Sequence, residues 1–168
     1  MNEEEAAVGA ACIADVNGDS WPDLYVAKGG YSIWMPQTPA LQDELYLNDG
    51  KGNLQLSQSS LPDLSGSSKS CVRPADIDGD GDLDILSYDQ GNYTYRLFKD
   101  VRAEKKWPKD TFEFQIMDVC FGFFNEGFDN SILLGECPYK DKLKPRHTGG
   151  ATCLMYDADA DGDKELMI

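Results

Sequence analysis

Apolar residues in this chain come in short runs bounded by acidic, glycine-rich turns. GAACIA precedes the first acidic turn; DLYVAKG, DELYLNDG and KGNLQLS follow it. Each run is a few residues long and rich in Val, Ile, Leu and Tyr, which suits strands. The stretch LYLNDGKGNLQL alternates on both sides of Asn48-Asp49-Gly50-Lys51-Gly52 and predicts a hairpin. Further on, CVRPA, DILSY, YTYRLF and TFEFQIMDVC repeat the plan, followed by an insertion that includes SILLGEC. GATCLMY and ELMI close the chain. No stretch carries a helical period of useful length.

The turns repeat as well. DVNGDSWPDLYV begins at Asp15, DIDGDGDLDILS at Asp76 and DADADGDKELMI at Asp157, with starts 61 and 81 residues apart. Positions 1, 3, 5 and 9 always bear oxygen. They are Asp15, Asn17, Asp19 and Asp23 in the first copy and Asp76, Asp78, Asp80 and Asp84 in the second. In the third they are Asp157, Asp159, Asp161 and Glu165. Gly18 and Gly79 fill position 4, and Gly81 and Gly162 fill position 6. A repeated unit of four strands every sixty residues or so predicts the blades of a β-propeller. The expected fold is all-β: one partial propeller domain over residues 1–168, with about two four-stranded blades and the start of a third. The expected blades are 9–65, 70–135 with an insertion at about 101–146, and a truncated 149–168.

Alternating oxygens in a tight loop are the chemistry of a hard cation. Calcium takes six to eight oxygens at roughly 2.3–2.6 Å, whereas magnesium keeps more of its waters. Side chains at positions 1, 3 and 5 converge, and position 9 closes the loop. Position 7 (Trp21, Asp82, Asp163) offers its backbone carbonyl, so its side chain is free to vary. Up to three Ca²⁺ are expected. An EF-hand is excluded, because position 12 is Val26, Ser87 and Ile168 rather than glutamate and strands flank each loop. The third copy departs most, with Ala160 at position 4 and Glu165 at position 9.

Charge agrees with a cation ligand. The 168 residues carry 30 acidic and 15 basic side chains, a formal net charge of −15. That disfavours nucleic acid as a partner, since phosphate binding needs a basic patch. No run is long enough for a membrane span, and MNEEEAAVGA does not resemble a secretory signal. Five cysteines without CxxC spacing make a zinc site unlikely. Cys12, Cys71 and Cys153 read as buried strand residues; Cys120 and Cys137 are either bridged or free. His147 is the sole histidine and reads as a loop residue. The basic stretches VRAEKKWPKD and YKDKLKPRH read as solvated loops, and FGFFNEGFDN reads as packing. Asn92-Tyr93-Thr94 matches a glycosylation sequon.

The loops DVNGDSWPDL, DIDGDGDLDI and DADADGDKEL resemble the calcium loops of the FG-GAP and VCBS repeat families, which build integrin-α-type propellers. LYLNDGKGNLQL is similar to the hairpin that follows the loop in the VCBS branch. The resemblance covers Gly9 to about Phe98 and Gly149 to Ile168, and fails over Val101–Arg146. It implies a seven-bladed ring, a place outside the cytoplasm or on the cell surface, and a role in adhesion or partner binding. The chain holds fewer blades than such a ring, so a piece of a larger protein is expected, aggregation-prone alone. The primary expectation is a non-catalytic, calcium-stabilised module with protein or glycan ligands. The alternative is the propeller part of a secreted carbohydrate-binding or lyase-like protein.

Overall fold

The structure, a computed structural model, describes residues 7–29, 38–57, 59–66, 68–89, 94–108, 111–122, 124–126, 132–135, 154–156, 159–160 and 165–167. Strands β1 (Val8–Ala14), β2 (Asp23–Lys28), β3 (Glu44–Asn48) and β4 (Leu54–Leu56) form one antiparallel sheet in chain order. Strands β5 (Lys69–Ala75), β6 (Asp84–Asp89), β7 (Thr94–Asp100) and β8 (Phe114–Asp118) form a second in the same order. Two further pairs are antiparallel: β9 (Phe124–Glu126) with β10 (Ile132–Leu134), and β11 (Leu154–Tyr156) with β12 (Glu165–Met167). Among the described residues, helix is confined to a 3₁₀ turn at Pro39–Leu41 and α1 at Arg102–Lys105. The fold is all-β, with two open four-stranded sheets of the kind that make propeller blades.

The sequence repeat is a repeat of register. In the first sheet Val8 pairs with Lys28 and Ala14 with Asp23, with an irregularity between Val8 and Ala10. In the second, Lys69 pairs with Asp89 and Ala75 with Asp84, with the irregularity between Lys69 and Cys71. The third acidic stretch joins the same kind of pair, since Tyr156 pairs with Glu165. In all three copies position 9 is the first residue of the returning strand. Each acidic loop is therefore a long β-hairpin connection whose two ends are fixed by the ladder. The expected hairpin after the first loop is β3–β4, its turn tied by Asp49, which accepts from Lys51 N (2.8 Å) and Asn53 N (3.1 Å).

One apolar core lies between the two sheets. Val16, Tyr25, Ala27 and Leu45 from the first meet Leu64, Val72, Ile85, Phe98 and Phe114. A second cluster lies on the other face of the second sheet: Cys71, Leu86, Tyr88 and Tyr95, with Ile77 and Phe121 against them. Neighbouring residues of β6 thus feed opposite cores, as period-two side chains do when both faces are covered. Phe121 places the start of the aromatic run in this packing, as read from sequence.

The seam between the sheets is a close backbone approach with a buried ion pair beside it. A Cβ on Gly9 or on Gly29 would fall 1.9 Å from the Lys69 carbonyl oxygen, so only glycine lets β5 sit this near. The Lys69 side chain crosses the seam to Asp43 Oδ1 (3.0 Å) and donates to the carbonyls of Leu41 (2.5 Å) and Leu64 (2.7 Å). Asp43 also accepts from Tyr25 OH and Lys28 N, each at 2.8 Å. Burial pushes the Asp43 carboxyl up, while Lys69 and the two donors hold it down.

Candidate metal centre

The first loop is built around its own carboxylates. Asp15 follows β1 and turns back on the chain. Its Oδ1 accepts from Gly18 N (2.8 Å) and Asp19 N (3.0 Å), and its Oδ2 from Ser20 N (2.8 Å). Asn17 Oδ1 accepts from Asp19 N (3.0 Å), and Asp19 Oδ1 from Trp21 N (2.8 Å). Asp23 is buried, and its oxygens accept from Val16 N (3.0 Å) and Asn48 N (2.8 Å).

The second loop repeats this cage. Asp76 accepts from Gly79 N (2.8 Å) and Gly81 N (3.1 Å), and Asp80 from Asp82 N (2.9 Å). Buried Asp84 accepts from Ile77 N (3.1 Å) and from Asp100 N (3.0 Å). Asp100, at the end of β7, thus stands where Asn48 stands at the end of β3. Position 4 is left-handed in every copy, at Gly18 (φ 74), Gly79 (φ 76) and Ala160 (φ 61). The third copy therefore keeps this bend without glycine, at the cost that an L side chain meets there. Ser20 holds a φ of 75 at position 6, where the second copy has Gly81.

Carboxylate oxygens of Asp76, Asp78 and Asp84 lie within 4.8 Å of one another, and so do those of Asp78, Asp80 and Glu104. Among the described residues these are the two acidic groups so gathered. Asp15, Asp19 and Asp23 are not drawn together to that degree, and the Asn17 amide donates to Asp19 Oδ2 (2.9 Å). The position-7 side chains make their contacts outside their own loops. Trp21 leaves the loop to lie against Gly50, where a Cβ would meet the indole at 2.6 Å. The Asp82 carboxylate turns to Arg102 Nη2 (2.8 Å). In the third copy Asp159 is exposed; Asp157, Asp161, Asp163 and the side chain of Glu165 lie outside the described residues. So do His147, the stretch 139–147, Asn92, Tyr93, Cys137 and Cys153.

The electrostatics are those of a cluster short of positive charge. Burial, with Asp78 and Asp80 adding to it, pushes the Asp84 carboxyl up to about 6 against two backbone donors. Burial likewise brings Asp100 to about 6, opposed by Arg102. Burial raises Asp80 as well, with Asp78 and Glu104 adding to it. These residues fit a hard divalent cation. The donors are oxygens throughout, and one is a buried carboxyl whose charge the surroundings disfavour. Asp84 accepts one N–H on each oxygen, which leaves a lone pair on each for a metal.

Four residues of this centre lie beyond the repeat pattern. The Lys99 ammonium contacts Asp78 and Glu104 and lies 3.5 Å from Asp80. Asp100 closes on Asp84, and Glu104 joins the second acidic group. Arg102, read from sequence as part of a solvated loop, is 5% exposed. It pairs with Asp82 and with Asp100 (3.1 Å), and it reaches the first loop at the carbonyls of Asn17 and Val16.

No curated protein and no solved structure gives a match to the chain. A family model described as an FG-GAP-like repeat matches residues 15–87. That span opens on Asp15, the first oxygen of the first loop, and ends on Ser87, the last residue of the second copy. It contains the first two acidic loops, the hairpin between them and Lys69 of the seam. Over residues 15–87 this chain is similar to an FG-GAP-like repeat.

Proposed function

We propose that the chain is a non-catalytic, calcium-binding part of a β-propeller interaction module that works outside the cytoplasm or at the cell surface. One observation carries this reading: two loops with the same backbone cage each end on a buried carboxylate, and in the second loop three carboxylates gather within 4.8 Å. Asp15, Asn17, Asp19 and Asp23 are the side-chain ligands of the first loop, with the Trp21 carbonyl. Asp76, Asp78, Asp80 and Asp84 serve the second, with the Asp82 carbonyl. Asp157, Asp159, Asp161 and Glu165 serve the third, with the Asp163 carbonyl. The ion neutralises clustered carboxylates and stiffens the connection between strands; it performs no reaction.

The blade division at 9–65, 70–135 and from 149 onward belongs to the same proposal. Two observations support an oxidising compartment and a partner-binding role. Cys120 is disulfide-bonded, a state that persists outside the cytosol. FG-GAP-like repeats suggest protein–protein interaction modules. Among the described residues no helix is long and apolar enough to cross a membrane.

Thermal unfolding of the chelator-treated chain with calcium or magnesium tests the metal. Calcium at a hundred times its dissociation constant stabilises by about 2.7 kcal/mol per site. The expected result is a clear rise in Tm with calcium and a smaller one with equal magnesium. Equal melting with calcium and with chelator would overturn the reading.

A further inference from the structure

Both acidic loops meet at one side chain. Arg102 opens the short helix α1 behind β7, and the residue is 5% exposed. Nη1 donates to the Asn17 carbonyl of the first loop, and Nη2 lies 3.4 Å from the Val16 carbonyl beside it. The same Nη2 is 2.8 Å from Asp82 Oδ1 of the second loop and 3.1 Å from Asp100 Oδ2. Phe112 lies under the guanidinium, 5.9 Å away. These contacts fall on atoms that the two cages leave over: carbonyls at positions 2 and 3 of one loop, and the position-7 carboxylate of the other. Asp100, the fourth partner, gives its backbone N–H to Asp84, the closing carboxylate of the second loop. A guanidinium is planar and rigid, so its two ends cannot follow two loops moving independently.

We propose that Arg102 is a positioning residue that couples the two cation loops, so that an ion ordering one loop raises the affinity of the other. The inference rests on the metal-binding reading above. Without an ion, the second loop's carboxylates repel, and Asp82 shifts with its loop. That motion is transmitted through Arg102 to the Val16–Asn17 backbone, which sets the direction of the Asn17 side chain. An ion in the second loop fixes Asp82 and Asp100, hence Arg102, hence the first loop. By linkage the effect runs equally in the other direction.

Trp21, at position 7 of the first loop, reports on that loop alone once Trp34 and Trp107 are replaced by Phe. Calcium is titrated into this 168-residue protein with its second loop intact or disabled by Asp80→Ala. The expected result is a first-loop midpoint at least about five-fold weaker when the second loop is disabled, the lower end of ordinary coupling. With Arg102→Met the same Asp80→Ala change should move that midpoint less than about two-fold. Should Arg102→Met fail to fold, Asp82→Ala replaces it. That variant removes the guanidinium's direct contact with the second loop, keeps the position-7 carbonyl and leaves only the route through Asp100, so the shift caused by Asp80→Ala should be smaller than in the parent. A shift of equal size with and without the Arg102 bridge, or no shift in either, overturns the coupling but leaves calcium binding standing. A Trp21 signal that calcium does not move, together with an unchanged Tm, overturns both.

Discussion

At the scale of residues, the question is what neutralises the second loop. Lys99 lies among Asp78, Asp80 and Glu104, where a cation is wanted. Burial opposes its charge, but hydrogen bonds to Asp78 and Glu104 outweigh it and hold the ammonium above its usual pKa. It stays charged at any physiological pH and competes with a metal for the same oxygens. Lys99→Met should therefore lower the Tm of the metal-free chain and tighten calcium binding at the second loop by several-fold. Weaker binding in the variant, measured by calcium titration, would show Lys99 to be a support and not a competitor. The pH dependence follows from Asp84 and Asp100. Both carboxyls stand near 6 in the folded metal-free chain, against 3.8 in an ordinary aspartate. A folded pKa raised in this way contributes stability that is fully present below about 4 and is lost as pH rises through 6. The metal-free Tm should fall between pH 5 and pH 7. Calcium needs the carboxylate form, so the rise in Tm it causes should grow over the same interval. A flat metal-free profile from pH 5 to 7 would show that these carboxyls are not perturbed.

The proposed ligand residues were readable because an oxygen at positions 1, 3, 5 and 9 is a local property of the chain. Lys99, Asp100, Arg102 and Glu104 were not readable. Arg102 meets Asn17 across 85 residues of sequence, and nothing in VRAEKKWPKD distinguishes an arginine that is folded over a loop from one in solvent. One signal was available. Asp100 ends its strand just as Asn48 ends the hairpin strand of the first copy, and aligning the two would have placed it beside Asp84.

At the scale of elements, the strands were legible and their junction was not. Period-two runs and the Asn48–Gly52 turn give the strands of both sheets, and the repeat carries the register with it. The seam depends on Gly9, Gly29 and Lys69, which as letters look like a strand interruption and a surface cation. Lys69 is 4% exposed and Asp43 3%, so the pair bridges the sheets out of water. Removing one partner of such a pair leaves a buried charge and typically costs about 3–5 kcal/mol. Lys69→Met should destabilise by that order in chemical denaturation, and Asp43→Asn added to it should restore part of the loss. A Lys69→Met variant as stable as the parent would mean that the seam is held by its apolar core alone.

At the scale of the whole molecule, the two sheets differ in what covers them. The second has a core on each face. On the first, the row Ile13, Leu24, Tyr46 and Leu56 runs across all four strands, with Ile13 72% and Leu56 44% exposed. That is the face a neighbouring blade would cover in a closed propeller. The acidic loops sit at the ends of the β1–β2 and β5–β6 hairpins, where an ion would fix how each pair of strands turns. The most direct measurement is therefore calorimetry of calcium binding to the chelator-stripped 168-residue chain, beside its Asp80→Ala and Asp161→Ala variants. Expected is saturable binding at two or three sites, with one site lost in each variant. Absence of binding heat, with a Tm that calcium leaves unchanged, would contradict the reading of these loops as calcium sites.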